Sequence, residues 1–110
     1  MRIIRLGDLP ATSFSRELIG DDHGGTSVSI IFVEAPPGSG PSLHTHPYDE
    51  IFIVQEGEAL VVAGSEERTV RAGEAIAPAD TPHRFVNTGS ETLRQIDIHL
   101  SPRFVTKWLE

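Results

Sequence analysis

The chain has 110 residues, 38% hydrophobic and 23% charged, with no cysteine and a formal net charge of −7. That length accommodates one core, and the lack of cysteine excludes disulfides, thiolate metal sites and cysteine nucleophiles, so any metal must be held by nitrogen and oxygen. The acidic balance, with basic residues scattered rather than clustered, argues against a nucleic acid as partner.

The first stretch, MRIIRLGDLPATSF, carries only a short apolar segment broken by Arg5, Gly7 and Pro10, so it does not read as a signal peptide. No window approaches the roughly 18 apolar residues of a membrane span. The expectation is a cytoplasmic protein with no membrane partner.

Beyond it, turn signals recur at GDDHGG (20–25), PPGSGP (36–41), EG (56–57), GS (64–65), AG (72–73), PADTP (78–82) and NTGS (87–90). Between them lie short β-rich runs: TSVSIIFVEA, EIFIVQ, EALVVA, RTVRA, HRFVN and TLRQIDIHL. Brief strands at such spacing indicate an all-β sandwich or barrel, and residues 1–110 read as a single domain of that kind. Helical spacing appears only at the end. There Ser101 suits an N-cap, Pro102 the first helical position, and Phe104, Val105 and Trp108 share a face, which predicts a short C-terminal helix.

In EIFIV, Glu50, Phe52 and Val54 point one way and Ile51 and Ile53 the other. Both faces are apolar, so both call for cover. A homodimer would provide it, as would the terminal segments.

Two histidines and a glutamate fall within HTHPYDE, in a chain with five histidines. On extended backbone His44 and His46 project to one face, and a turn through Pro47, Tyr48 and Asp49 returns Glu50 to it. Two imidazoles and a carboxylate aimed at one point suit a borderline divalent metal. A solvated polar turn is the competing reading, but a glutamate set against an apolar run calls for a positive partner. A fourth donor must come from another strand, and His23, His83 and His99 are the candidates. His83 opens a strand beside a turn, His23 lies in a Gly- and Asp-rich loop, and His99 shares a face with Gln95 and Asp97.

At these residues the sequence resembles the cupins. The first motif of that family, G-x5-H-x-H-x3-E-x6-G, is matched throughout by Gly38, His44, His46, Glu50 and Gly57, over residues 38–57. The second, G-x5-P-x-G-x2-H-x3-N, is met over residues 73–87 by Gly73, Pro78, His83 and Asn87. It departs in two ways: one residue fewer separates Gly73 from Pro78, and Asp80 stands where the family has a second glycine. Aspartate tolerates positive φ better than most residues, so the turn can survive.

The resemblance implies a double-stranded β-helix, or jelly-roll barrel, and a metal held by His44, His46, Glu50 and His83. It implies turn-forming roles for Gly38, Gly57 and Gly73, and a structural role beside the site for Asn87. Such a donor set leaves one or two positions open on an iron, manganese, nickel, cobalt or zinc ion. Dioxygenases are a large class in the family, with isomerases, epimerases and decarboxylases also present. The expectation is therefore a dioxygenase-type metalloenzyme acting on a small molecule; the alternatives are a metal-dependent isomerase, epimerase or decarboxylase, and a non-catalytic small-ligand-binding barrel. Phe52, Val54 and Phe85, in phase with the donors, would wall the pocket. Tyr48 and His99 are the candidate catalytic groups, and Arg84, out of phase with His83, reads as outward and solvated.

Overall fold

The structure, a computed structural model, covers residues 1–110. Eight strands form one antiparallel sheet: β1 (Ser15–Leu18), β2 (Ser29–Ala35), β3 (His44–Thr45), β4 (Glu50–Ala63), β5 (Glu66–Ala77), β6 (His83–Asn87), β7 (Leu93–His99) and β8 (Lys107–Trp108). The order is β1-β2-β7-β4-β6-β3-β8, with β5 paired along the other edge of β4. The helical content is two 3-10 turns, Leu6–Asp8 and Gly20–His23, and no helix is long and apolar enough to cross a membrane. The expected curled antiparallel jelly roll is what the chain adopts.

The curl originates in β4. Its first half pairs with β7, from Glu50↔His99 to Glu56↔Arg94, and its second half with β6, from Ala59↔Asn87 to Ala63↔His83. The change of partner falls where the register of both neighbouring ladders slips, between Val54 and Glu58. A bulge there bends the strand and raises its twist, turning one long hairpin around a corner. Gly57 sits in the bend at φ +82, and a Cβ at that position would lie 2.9 Å from the Thr92 carbonyl oxygen. The EG signal thus marks a corner within a strand, and EIFIVQ and EALVVA are one element.

Likewise RTVRA and EAIA are joined in β5 through Ala72, at φ 40. Gly73 lies inside that strand opposite Val54 and forms no turn, unlike Gly38 at φ 86. Aspartate does replace the family glycine in the left-handed region, with Asp80 at φ 61 and its N–H donating to the His46 carbonyl at 2.7 Å.

Strand alternation sorts the side chains. Val33, Ala35, Phe52, Val54, Ala59, Val61, Ala77, Phe85 and Leu93 form the buried core inside the curl. Outside, Ile30, Ile98, Ile51 and Ile76 line up in register across β2, β7, β4 and β5, beside a row of Phe32, Ile96 and Ile53. Ile76 is 61% exposed and the others are half-buried.

The C-terminal helix does not form. Ser101 Oγ accepts from the Arg103 N–H, but the cap closes a single turn. Beyond it Lys107–Trp108 pair with His44–Thr45, and the Leu109 N–H donates to the Leu43 carbonyl. The reason is the two-residue β3, whose open edge offers backbone partners to a segment rich in Val, Thr and Trp. β1 went unread in the sequence for a similar reason, since SREL shows no apolar alternation and becomes a strand by pairing with β2.

Candidate metal centre

Four buried side chains from three strands and one turn converge at one end of the curl. His44 on β3 pairs in register with His83 on β6, His46 follows in the turn, and Glu50 opens β4. Their ligand atoms all lie within 4.8 Å of one another. His46 Nε2 and His83 Nε2 stand 3.1 and 3.0 Å from Glu50 Oε1. All four residues are at most 6% exposed.

Each imidazole is aimed by the backbone. Nδ1–H of His44 donates to the Ser42 carbonyl at 2.7 Å, that of His46 to the Val105 carbonyl at 3.0 Å, and that of His83 to the Thr81 carbonyl at 2.8 Å. Fixing Nδ1 as the protonated nitrogen leaves Nε2 as the lone-pair donor facing inward, the arrangement in which metal-binding imidazoles are held. Burial pushes the His44 pKa down to about 4, so its ring is neutral and ready to coordinate.

Burial alone would raise Glu50, yet the surrounding imidazoles of His46, His83 and His99 outweigh it and hold the carboxyl well below its ordinary range. His83 is shifted upward: burial opposes this, but the Glu50 carboxylate and the Thr81 carbonyl prevail. His46 Nε2 is buried and, although 3.1 Å from Glu50 Oε1, makes no well-formed hydrogen bond in the chain. That inward nitrogen, two further Nε2 atoms and an ionised carboxylate fit a borderline divalent cation.

A second polar chain adjoins the first. His99, at the end of β7, places Nε2 3.2 Å from Glu50 Oε2, and its Nδ1 is 2.8 Å from the Tyr48 hydroxyl. The Tyr48 ring stacks on His46 at 4.8 Å, and burial raises its phenol to about 12. Both candidate catalytic groups therefore stand beside the donor cluster. His23 ends the second 3-10 turn, away from it, and Arg84 lies on β6 between inward His83 and Phe85, facing outward as the alternation indicated.

His44, His46, Glu50 and His99 line a cavity of about 430 Å³, within the range of small-molecule sites, while His83 stands behind them against Glu50. Phe52 and Phe85 are among the residues lining it, while Val54, a core residue like them, is not. Asn87 is structural but remote: it bonds the Ala35 and Glu91 carbonyls and the Gly89 N–H at the other end of β6 from His83. Trp108 was not anticipated as part of the site, and reaches it only because β8 docks there, its ring 5.0 Å from that of His44. Asp97 also lines the cavity. Its only sequence signal was its inward phase with His99.

Residues 31–99 match the profile of the family described as Cupin domain. Over 68 residues the chain is 43% identical to the polyketide synthase CurC of Streptomyces cyaneus, covering 60% of this chain and 44% of that protein. An oxalate oxidase solved with the substrate analogue glycolate superposes with a TM-score of 0.81 at 25% identity, over 98% of this chain and 63% of the other. Oxalate decarboxylase of Bacillus subtilis, described with Mn(II) centres, superposes with a TM-score of 0.79 at 21% identity, over 94% of this chain and 30% of the other. The chain thus spans less than two thirds of each of these three proteins.

Proposed function

This chain belongs to the cupin domain family, and on that premise we propose that it is a divalent-metal-dependent enzyme of dioxygenase type acting on a small oxygenated molecule. The observation that carries the reading is the convergence of four buried donors within 4.8 Å of one another, three of which line a cavity beside Phe52 and Phe85. His44, His46, Glu50 and His83 would hold one ion of iron, manganese, nickel, cobalt or zinc. Such an ion supplies open positions for two oxygens of a diketone, catechol or hydroxy acid, and the capacity to activate dioxygen or polarise a carbonyl.

The chain's own residues supply the remainder. Phe52 and Phe85 exclude water and bound the substrate. His99 lines the cavity without belonging to the donor set, so it is the group placed to take or return a substrate proton. Tyr48 holds its Nδ1 and thereby orients the ring. The mangano-protein among the structural relatives supports a redox-capable ion, and the apolar outer rows support a second copy of the chain as partner.

The test is elemental analysis of untagged protein, followed by oxygen uptake on a panel of catechols and diketones. Uptake that depends on metal and disappears in His83→Ala supports the enzyme. Tight metal and ligand binding without turnover of any member of the panel would move the assignment to a ligand-binding barrel.

A further inference from the structure

The inner row of β7 runs Leu93, Gln95, Asp97, His99, all buried and all facing the interior. His99 serves the donor cluster, and Leu93 belongs to the core. The two residues between them have no part in the metal reading, yet they are polar and at most 2% exposed. Asp97 sits in register between Ile31 on β2 and Phe52 on β4, and it lines the cavity. Its Oδ1 accepts from Gln95 Nε2 at 2.7 Å, and Gln95 Oε1 has no partner in the chain.

As packing, this pair is a poor choice. A desolvated carboxyl and an amide oxygen left unmet are destabilising against apolar residues of similar size, and the neighbours Ile31 and Phe52 offer neither any compensation. No lysine or arginine lines the cavity to neutralise the acid. Burial instead pushes the Asp97 carboxyl well above the ordinary carboxylate range. A neutral carboxyl both donates and accepts, so it matches a hydroxyl on a bound molecule.

Position supplies the size of that molecule. Asp97 pairs with Phe52 one inward step along from the Glu50–His99 pair. Two residues of strand make that step roughly 7 Å, about the width of one ring lying between the donor cluster and the acid. The walls bordering the gap are Phe14, Phe52 and Phe85.

Resting on the metal reading above, we propose that Asp97, braced by Gln95, determines specificity by accepting a hydroxyl on the far side of a neutral, ring-sized ligand whose near side chelates the metal. Away from the metal the cavity then discriminates against an anionic group on a ligand of the same shape, because its walls carry the carboxyl groups of Glu17 and Asp97 and neither lysine nor arginine.

Zinc-loaded protein, which is redox-silent, is titrated calorimetrically with 4-methylcatechol, 3,4-dihydroxybenzyl alcohol and 3,4-dihydroxybenzoate. These probes share a chelating end and differ only opposite it. The alcohol binds about tenfold more tightly than the methyl compound, as one hydrogen bond in a desolvated site allows, and the benzoate binds most weakly. Asp97→Leu abolishes the preference for the alcohol with zinc content unchanged, and Asp97→Asn, an isostere of the protonated acid, keeps it. Equal affinity for alcohol and methyl compound in the unaltered protein overturns the inference, as does a preference that survives in Asp97→Leu. If the leucine variant does not fold, the order of the three probes in the unaltered protein decides the matter. A protein that takes up no zinc, or binds catechols equally well without it, refutes the metal reading and this inference with it.

Discussion

Glu50 and His99 face one another in register across the β4–β7 ladder, with His99 Nε2 3.2 Å from Glu50 Oε2. The other carboxylate oxygen, Oε1, is the one approached by His46 and His83. Glu50 therefore divides its two oxygens between the donor cluster and the His99–Tyr48 pair. Under the proposed function, this single side chain would join metal binding to proton handling.

Removal of a donor separates these functions first. His46→Ala is expected to weaken metal binding by more than roughly 100-fold, since even the partners that orient a metal ligand are worth 10–100-fold. Elemental analysis after dialysis against a chelator reads the effect. Full retention of metal would refute the donor assignment.

The outer pair responds differently. Tyr48→Phe removes the hydroxyl 2.8 Å from His99 Nδ1 while keeping the ring stacked on His46. Metal content stays constant and the pH profile of turnover shifts. His99→Ala lowers turnover by about 100-fold or more, the ordinary worth of a positioned acid–base group. Steady-state kinetics across pH on metal-replete protein distinguish the two.

Stability of the metal-free protein should respond to pH through four buried groups of opposing sign. His44, with its pKa lowered to about 4, and Glu50, lowered below its ordinary range, contribute stability that is present above their unfolded values and is lost on acidification. His83 and Asp97 are raised, so their contributions are complete below their unfolded values, 6.5 and 3.8, and disappear as pH climbs through the folded ones. A bound ion replaces the His83 proton, so the stabilisation by metal grows with rising pH. Thermal melts with and without zinc over roughly pH 4 to 9 test both trends.

The corner in β4 depends on one residue. Gly57→Ala introduces a Cβ 2.9 Å from the Thr92 carbonyl oxygen at φ +82. The expected loss is about 1–3 kcal/mol, read from urea unfolding. An unchanged midpoint would show that the bend relaxes without cost.

The outer isoleucine rows predict association. Ile51→Lys and Ile98→Lys place charge in the centre of that face, in register with one another, and should convert a dimer to a monomer in light scattering. A protein already monomeric at high concentration would show that the face needs no second copy.

The first motif was legible because its spacing alone fixes which side chains share a face. With His44 and His46 two apart on extended chain and Glu50 beyond a short turn, local backbone geometry leaves little freedom. HRFVN and TLRQIDIHL were legible as β6 and β7 for the same reason, a period of two. The PADTP turn was readable through Asp80, whose tolerance of positive φ is a property of the residue.

What local chemistry could not fix was anything arising between distant segments. Helix-like spacing over residues 101–108 lost to the open edge of β3, sixty residues earlier in the chain, and that outcome brought Trp108 onto His44. The bulge that makes β4 continuous, and the burial that raises the Asp97 carboxyl above its ordinary range, likewise depend on which strands become neighbours. The sequence determined most of the inner strands and which candidate donors share a face, because those follow from backbone period and residue type. Only the tertiary structure decided which strands pair, where the end of the chain docks and which polar side chains lose water, because those are set by partners the local sequence does not contain.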